Sequence, residues 1–339
     1  MNWKFWIGIA ISALFLYLAF HNVDLHLLYH SIKSTSIPLI IPVVALTVIL
    51  YVIRALRWFH LLEPIKKIGL SSLFSSTVIG FAANCVLPAR LGEFIRANYI
   101  GRMERISKSS SFGTIVIERL FDTFTILLIF AFVMLFIDFP GEWTSIGRAL
   151  GMGGLFLFLL FLVSIFLIVV LKGKTNTFLT IAEKFLFFLP RKPRHKLVAM
   201  LDGFSKGLIL VKGPSKLIAV IFYSLVLWGL YVVQIYILGL SMGLSLPFMA
   251  PFFILVLLCF SVIIPSAPGY IGTFHVACQY GLIFYGLSRA NALSMAIILH
   301  AAGFIPTVLL GLLVFSLNHI PLRSISDGKL SLSGEDLEG

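Results

Sequence analysis

The sequence predicts an all-α polytopic membrane protein with about six full spans and two broken or re-entrant helical hairpins related as an inverted repeat. Three observations carry this expectation. The 339 residues are 59% hydrophobic and only 12% charged, whereas a soluble domain carries about 25% charged residues. Apolar runs of span length, about 20 residues, follow one another and leave no stretch of ordinary composition for a water-soluble catalytic domain. Finally, two apolar stretches are each broken by a proline after which a new helix starts. One is Asn84-Cys85-Val86-Leu87-Pro88-Ala89-Arg90-Leu91-Gly92-Glu93-Phe94-Ile95-Arg96, and the other runs from Pro268 to Ala277. At an offset of 180 residues, Pro88 meets Pro268, Gly92 meets Gly272, Phe94 meets Phe274, Ala97 meets Ala277 and Gly101 meets Gly281.

Taken in order, residues 5–20 make a short first span and 21–36 a short polar link. Residues 37–59 make the second span. Its end, Arg54, Arg57 and Trp58, reads as an inside interface where Arg snorkels and Trp sits at headgroup level. Residues 70–87 and 89–102 are each about half a membrane long and have basic flanks, so they predict a broken hairpin whose free backbone groups are covered by protein or water. Residues 111–137 span with Glu118, Arg119 and Asp122 in the first half. The link 138–148 is acidic, and 149–171 span back. Between Lys172 and Lys216 ten Lys or Arg face only Glu183 and Asp202. In such a chain this block reads as a cytoplasmic linker that touches anionic lipid, with amphipathic pieces around 176–188 and 195–211, and not as a nucleic-acid site. Residues 217–240 span outward, 248–264 with 269–286 form the second broken pair, and 290–317 make the last span. The expected domain is 1–320, with repeat halves at about 37–137 and 217–317, the linker 172–216 and a disordered cytoplasmic tail at 321–339. Both termini face the cytoplasm of a plasma-membrane protein.

Pro favours the first turn of a helix, so Pro88 and Pro268 are the expected helix breaks. A helix N-terminus presents unpaired N–H groups and partial positive charge. Two such ends arriving from opposite sides suit an anion such as a lipid phosphate. Arg90, Glu93 and Arg96 share one side of the new half-helix, and Glu118 and Asp122, four apart, share a face of the next span. The six charges Arg90, Arg96, Arg119, Glu93, Glu118 and Asp122 sum to zero and predict an ion-pair network. Its reading is either a lock between helices or a substrate and coupling site. In the second copy Tyr270, Thr273 and Val276 replace Arg90, Glu93 and Arg96, so one half carries the charge. His275, His300 and Gln279 read as hydrogen-bonded packing ahead of a cavity lining or a proton relay, and Cys85, Cys259 and Cys278 as buried thiols without metal spacing. Gly151, Gly153 and Gly154 read as a close helix contact. The sequence has no P-loop, no HExxH and no Gly-x-Ser-x-Gly elbow.

Arg54-x-x-Arg57-Trp58, then Asn84-x-x-x-Pro88-x-Arg90-x-Gly92-Glu93-x-x-Arg96, then Glu118-Arg119-x-x-Asp122, then Pro268-Gly269-x-x-Gly272-Thr273 resemble, in order and spacing, the lysylphosphatidylglycerol synthase transmembrane family. The resemblance covers roughly residues 1–318. It implies the stand-alone form of the flippase-like domain found in the multiple peptide resistance factors. That form moves a charged lipid between leaflets and lacks the soluble aminoacylating domain, so synthase activity is not expected.

The expected function is therefore a flippase-like transporter that moves a charged phospholipid or polyprenyl-type lipid through a midplane site. Its substrate-binding residues would be Arg90, Arg96, Asn84, Gly92, Gly269, Gly272 and Thr273. Glu93, Glu118, Arg119 and Asp122 would form the charge network or carry a coupling proton. No catalytic residue, metal, cofactor or nucleic acid is expected. The partners are an anionic lipid and the membrane, and a homo-oligomer is compatible with the sequence. Two rival readings stand: a membrane-embedded glycosyltransferase using a lipid-linked sugar, with Asp24, Asp138 and Glu142 as its outside acids, or a non-transporting subunit that recruits a partner through 172–216.

Overall fold

The computed structural model describes residues 3–87, 90–173, 191–208 and 213–317, with the single positions 179 and 183. The expected break at Pro88, the amphipathic piece at 176–188 and the tail lie outside the described residues. The described chain forms twelve α-helices: α1 (Trp3–Phe20), α2 (Leu25–Lys33), α3 (Ile37–Leu62), α4 (Leu70–Val86), α5 (Gly92–Met103), α6 (Lys108–Phe136), α7 (Thr144–Gly173), α8 (Arg191–Gly207), α9 (Pro214–Ser241), α10 (Ala250–Ser261), α11 (Thr273–Phe284) and α12 (Arg289–Leu317). By length and composition α3, α6, α7, α9 and α12 can each cross a membrane. The sixth expected span, α1, bends by 88° into α2 and reaches that standard only together with it.

The helix starts have local causes. The link expected at 21–36 contains α2, because Asp24 caps it: the carboxylate accepts from the backbone N–H groups of His26 at 2.8 Å and Leu27 at 3.1 Å. Two orphan N–H groups are thereby satisfied. Ser107 caps α6 in the same way, accepting from the Ser110 N–H. Proline sits in the first turn of α3, α9 and α10, where its missing N–H costs nothing. Pro268 opens a 3-10 turn, Pro268–Tyr270, ahead of α11.

At the centre α3 and α9 pack on each other. Each of them also packs on α6 and α12, and each packs on the helix that starts a broken hairpin, α3 on α4 and α9 on α10. The cross contacts pair likewise: α4 lies on α12, and α10 lies on α6. Apolar side chains such as Val43, Leu50, Leu227, Leu238, Ile254 and Met295 fill the α3–α9–α10–α12 core. Polar contacts across the centre obey the same pairing. Gln234 donates to Thr47 Oγ1 at 2.9 Å, while Arg57 donates to Ser224 at 3.0 Å. Arg54 donates to the Tyr231 hydroxyl, 177 positions away, at 3.1 Å. Thr47 with Ser224 and Arg57 with Gln234 are separated by that same interval.

Of the three glycines expected in a close contact on α7, only Gly154 is in one: a Cβ there would run into the Phe130 ring. Gly153 has nothing within 4 Å.

Candidate functional site

The two hairpin tips meet. Arg90 Nε donates to the Tyr270 hydroxyl at 3.2 Å, across 180 positions. Both residues adopt left-handed backbone, with φ of 54° and 59°, a region that costs a non-glycine residue energy. The Gly92 N–H, first in α5, donates to Asn84 Oδ1 at 2.8 Å. Asn84 thus caps α5 from the last turns of α4. Gly92 itself lies against the Gly80 carbonyl and the Asn84 amide with no room for a Cβ, and a Cβ on Gly80 would stand 2.8 Å from the Arg96 Cβ. This glycine pair lets α4 and α5 run close enough to carry Arg96 into the protein.

Behind the tips lies an ionic cluster. Glu118 and Asp122 are the eleventh and fifteenth residues of the 29-residue α6, about 15–21 Å from its start. Glu118 pairs with Arg96 at 2.9 Å, with Arg57 at 3.2 Å and with Arg119. Asp122 pairs with Arg57 at 2.6 Å, with Arg119 at 3.3 Å and, at the limit of 4.0 Å, with Arg54. It also accepts from Trp228 Nε1 at 3.2 Å. The Arg96 guanidinium lies 3.7 Å from the centroid of the Trp58 ring, and that of Arg54 lies 4.5 Å from that of Phe81. Trp58 is in turn fixed by its Nε1–H, which donates to Thr114. Arg54, Arg57, Arg96, Glu118 and Asp122 are buried. Arg119 and Glu93, 3.9 Å apart, form the outer edge, with side chains 33% and 26% exposed.

Two expectations change here. Arg54, Arg57 and Trp58 are not an interface; they line the heart of the cluster from α3. A run of arginines near the end of an apolar segment gives the same sequence signal in either case. The missing clue was their spacing, which turns Arg54, Arg57 and Trp58 toward one neighbour. Arg90 in turn is outside the network: it is exposed at the hairpin tip and bonds only Tyr270 among the described residues. The charge balance shifts accordingly. Four guanidinium groups, on Arg54, Arg57, Arg96 and Arg119, face three carboxylates, on Glu93, Glu118 and Asp122. One positive charge is in excess. Arg54 is the most loosely paired member: Arg57 and Arg96 also bury two guanidinium nitrogens without a hydrogen-bond partner, but Arg54 reaches a carboxylate only at 4.0 Å, against 2.6 Å for Arg57 and 2.9 Å for Arg96.

Among the other expected site residues, Asn84, Gly92 and Arg96 line a cleft with Gly80, Phe81, Glu93 and Arg119. The cleft holds ≈10 Å³, room for about one water. Gly269 and Gly272, with φ of 75° and 93°, shape the second tip, where Thr273 donates to the Tyr270 carbonyl. His275 accepts from the Gly272 N–H, His300 contacts the Gly269 carbonyl at 2.8 Å, and Gln279 donates to the Ala19 and Arg289 carbonyls. All three are hydrogen-bonded within the described residues. Cys278 is buried, and Cys85 and Cys259 are half-buried. Asp24 is engaged as a helix cap.

A buried arginine cluster beneath two broken hairpins, in a bundle of apolar helices, defines a multi-pass membrane protein with an ionic cluster buried among its helices. The chain belongs to the family of the lysylphosphatidylglycerol synthase TM region, whose model matches residues 5–311. It is similar to a UPF0104 membrane protein of Methanocaldococcus jannaschii, 28% identical over 241 residues that cover 68% of this chain and 92% of the relative. It is also similar to one of Pyrococcus horikoshii, 24% identical over 292 residues that cover 80% of this chain and 86% of the relative. A second M. jannaschii relative is 30% identical over 135 residues, 38% of each chain. No solved structure matches the chain.

Proposed function

We propose that this protein is a flippase-like transporter which passes the headgroup of an anionic lipid, a phospholipid or a polyprenyl-type phosphate, through the arginine cluster. The observation that carries this reading is the surplus positive charge buried between the two hairpins. Burying an uncompensated charge is costly, and ionisable groups at membrane depth mark substrate and ion pathways. Guanidinium groups match phosphate oxygens in a planar, bidentate geometry, and a phosphate arriving beside Arg54 would balance the cluster and give its buried N–H groups partners. The cleft is far smaller than a headgroup, so transport requires the hairpin tips to part. Arg90 and Tyr270, which clasp one another there, are the first contact to break. Glu93 and Asp122 are suited to balance the arginines as the headgroup arrives and leaves. The charge pattern of the loops supports a plasma-membrane protein with both termini on the cytoplasmic side.

The test is lipid movement in reconstituted vesicles, using labelled phosphatidylglycerol, its lysyl ester and a neutral control lipid. The native chain accelerates a charged lipid, and Arg54→Met, folded to the same thermal stability, does not. Equal movement with both proteins refutes the site. No acceleration of any supplied charged lipid by the native chain counts against transport of that class.

A further inference from the structure

The correspondence between the halves extends beyond the helices that build the site. The amphipathic helices α2 and α8 directly precede α3 and α9, and they pack on α12 and α6 respectively. Among the described residues α1 and α7 precede these in turn, which sets six helices, α1–α6, against six, α7–α12. At one place the match fails. α1 lies along the second hairpin: Ser12 Oγ accepts from the Ala267 N–H at 2.7 Å, Gly8 sits against the Ser266 carbonyl, and Gly272 has no room for a Cβ beside Ser12 and Phe15. Its counterpart α7 does not cover the first hairpin. Among the described residues α7 packs on α6 and on the turn at 141–143, with Phe161 on Phe124 and Gly154 on Phe130.

The uncovered place is where the ionic cluster reaches the surface. Glu93 and its counterpart Thr273 hold equivalent positions, yet Glu93 is half-buried while Thr273 is buried. Glu93 and Arg119 stand at this opening, and the exposed apolar side chains Leu91 and Phe94 flank Glu93 along the chain.

We infer that the α5–α6 face left open by α7 is a lateral portal, through which an anionic lipid brings its headgroup to Arg119 while its acyl chains stay in the bilayer against Leu91 and Phe94. The inference rests on the transporter reading and adds where its substrate comes in. Charge complementarity fixes the occupant. Arg119 is the outermost guanidinium and is held by Glu93 at 3.9 Å, looser than its contact with Asp122 at 3.3 Å. A phosphate can therefore displace Glu93 without dismantling the core pairs. A neutral lipid gains nothing from the exchange.

A photo-crosslinking amino acid at Phe94 tests this in the full-length protein, in vesicles of phosphatidylglycerol and phosphatidylcholine. The same probe at Leu312, equally exposed on α12 at 58% against 57% for Phe94, is the control. Phosphatidylglycerol is expected to be enriched at Phe94 over Leu312 by about fivefold, which corresponds to about 1 kcal/mol, and Arg119→Gln should remove the enrichment. Equal labelling at both positions overturns the portal, as does enrichment that survives Arg119→Gln. If Arg119→Gln unfolds, Glu93→Gln, which keeps the arginine, must retain the enrichment, and its loss there also overturns the portal. Crosslinking reads binding alone. A failed portal beside intact, Arg54-dependent transport leaves the transporter reading standing, and enrichment without any transport sinks that reading instead.

Discussion

Arg54 and Arg57 are one helical turn apart on α3 and both bear on Asp122, yet their replacement by methionine is expected to have unequal costs. Arg57 is fully buried and pairs with Asp122 at 2.6 Å and Glu118 at 3.2 Å. Removing it takes from Asp122 its shortest ion pair and from Glu118 one of its three, and breaking so buried a pair costs about 3–5 kcal/mol. Arg54 reaches Asp122 only at 4.0 Å, makes one hydrogen bond to Tyr231 and rests on Phe81. Losing these contacts forfeits about 1–2 kcal/mol. It also removes the buried surplus charge, leaving three guanidinium groups opposite three carboxylates, so the net change is within about 1 kcal/mol. At roughly 2 °C per kcal/mol for a large chain, Arg57→Met lowers the melting temperature by about 6–10 °C and Arg54→Met by about 2 °C at most. The assay is thermal unfolding in mild detergent, with and without anionic lipid. Lipid at about a hundred times its Kd stabilises the native protein by about 2.7 kcal/mol, and this gain should vanish in Arg54→Met. Equal losses in the two variants, or lipid stabilisation that persists without Arg54, would refute the surplus-charge argument.

Three further outcomes follow from the same geometry. Gly92→Ala forces a Cβ into the Gly80 carbonyl and the Asn84 amide and should cost about 1–3 kcal/mol as overpacking; Gly303→Ala, with open space around it, is the control in the same melts. Trp58→Phe removes the donor to Thr114 and weakens the ring under Arg96, for a loss of about 1–3 kcal/mol, and a double-mutant cycle with Thr114→Val separates the hydrogen bond from the cation–ring term. Glu63, beyond the end of α3, is hydrogen-bonded by Lys216 at 2.9 Å, which holds its carboxyl below the usual range. Because the folded value is the lower one, the stabilisation is complete above the ordinary carboxylate pKa of about 4.3 and fades as pH falls through the folded value. Melting curves from pH 7 to 3 should show this fall in the native protein and a shallower one in Lys216→Met.

Much of the architecture was legible because membranes impose lengths. The spans at 111–137, 217–240 and 290–317 fall within a few residues of α6, α9 and α12, since an apolar run has few alternatives there. What such a scan passes over is a nine-residue helix. α2 was hidden inside a polar link although Asp24 stands where a cap should, directly before an amphipathic stretch. The site was half legible. Glu118, Arg119 and Asp122 stood out because charge inside a span is rare, and the hairpin glycines because prolines flank them. Arg54 and Arg57 were misplaced because snorkelling and burial share one composition, and what separates them is the helix face they share with Trp58 and the carboxylates it meets. Arg90 was drawn into the network by its regular spacing with Glu93 and Arg96. That spacing assumed an unbroken helix, whereas Arg90 lies before α5 begins and turns away through its left-handed backbone.

The contact between Arg54 and Tyr231 also bears on the history of the chain. Were the halves identical copies, every ionisable group would occur twice and the charge gathered at the centre would be an even number. A like residue opposite Arg54 would moreover set two cations face to face. An odd excess of one is open only to halves that have diverged, with tyrosine opposite arginine both here and at the hairpin tips. Divergence of this kind makes the two sides of the molecule chemically unequal, and on the transporter reading proposed above the headgroup would have a preferred side of entry.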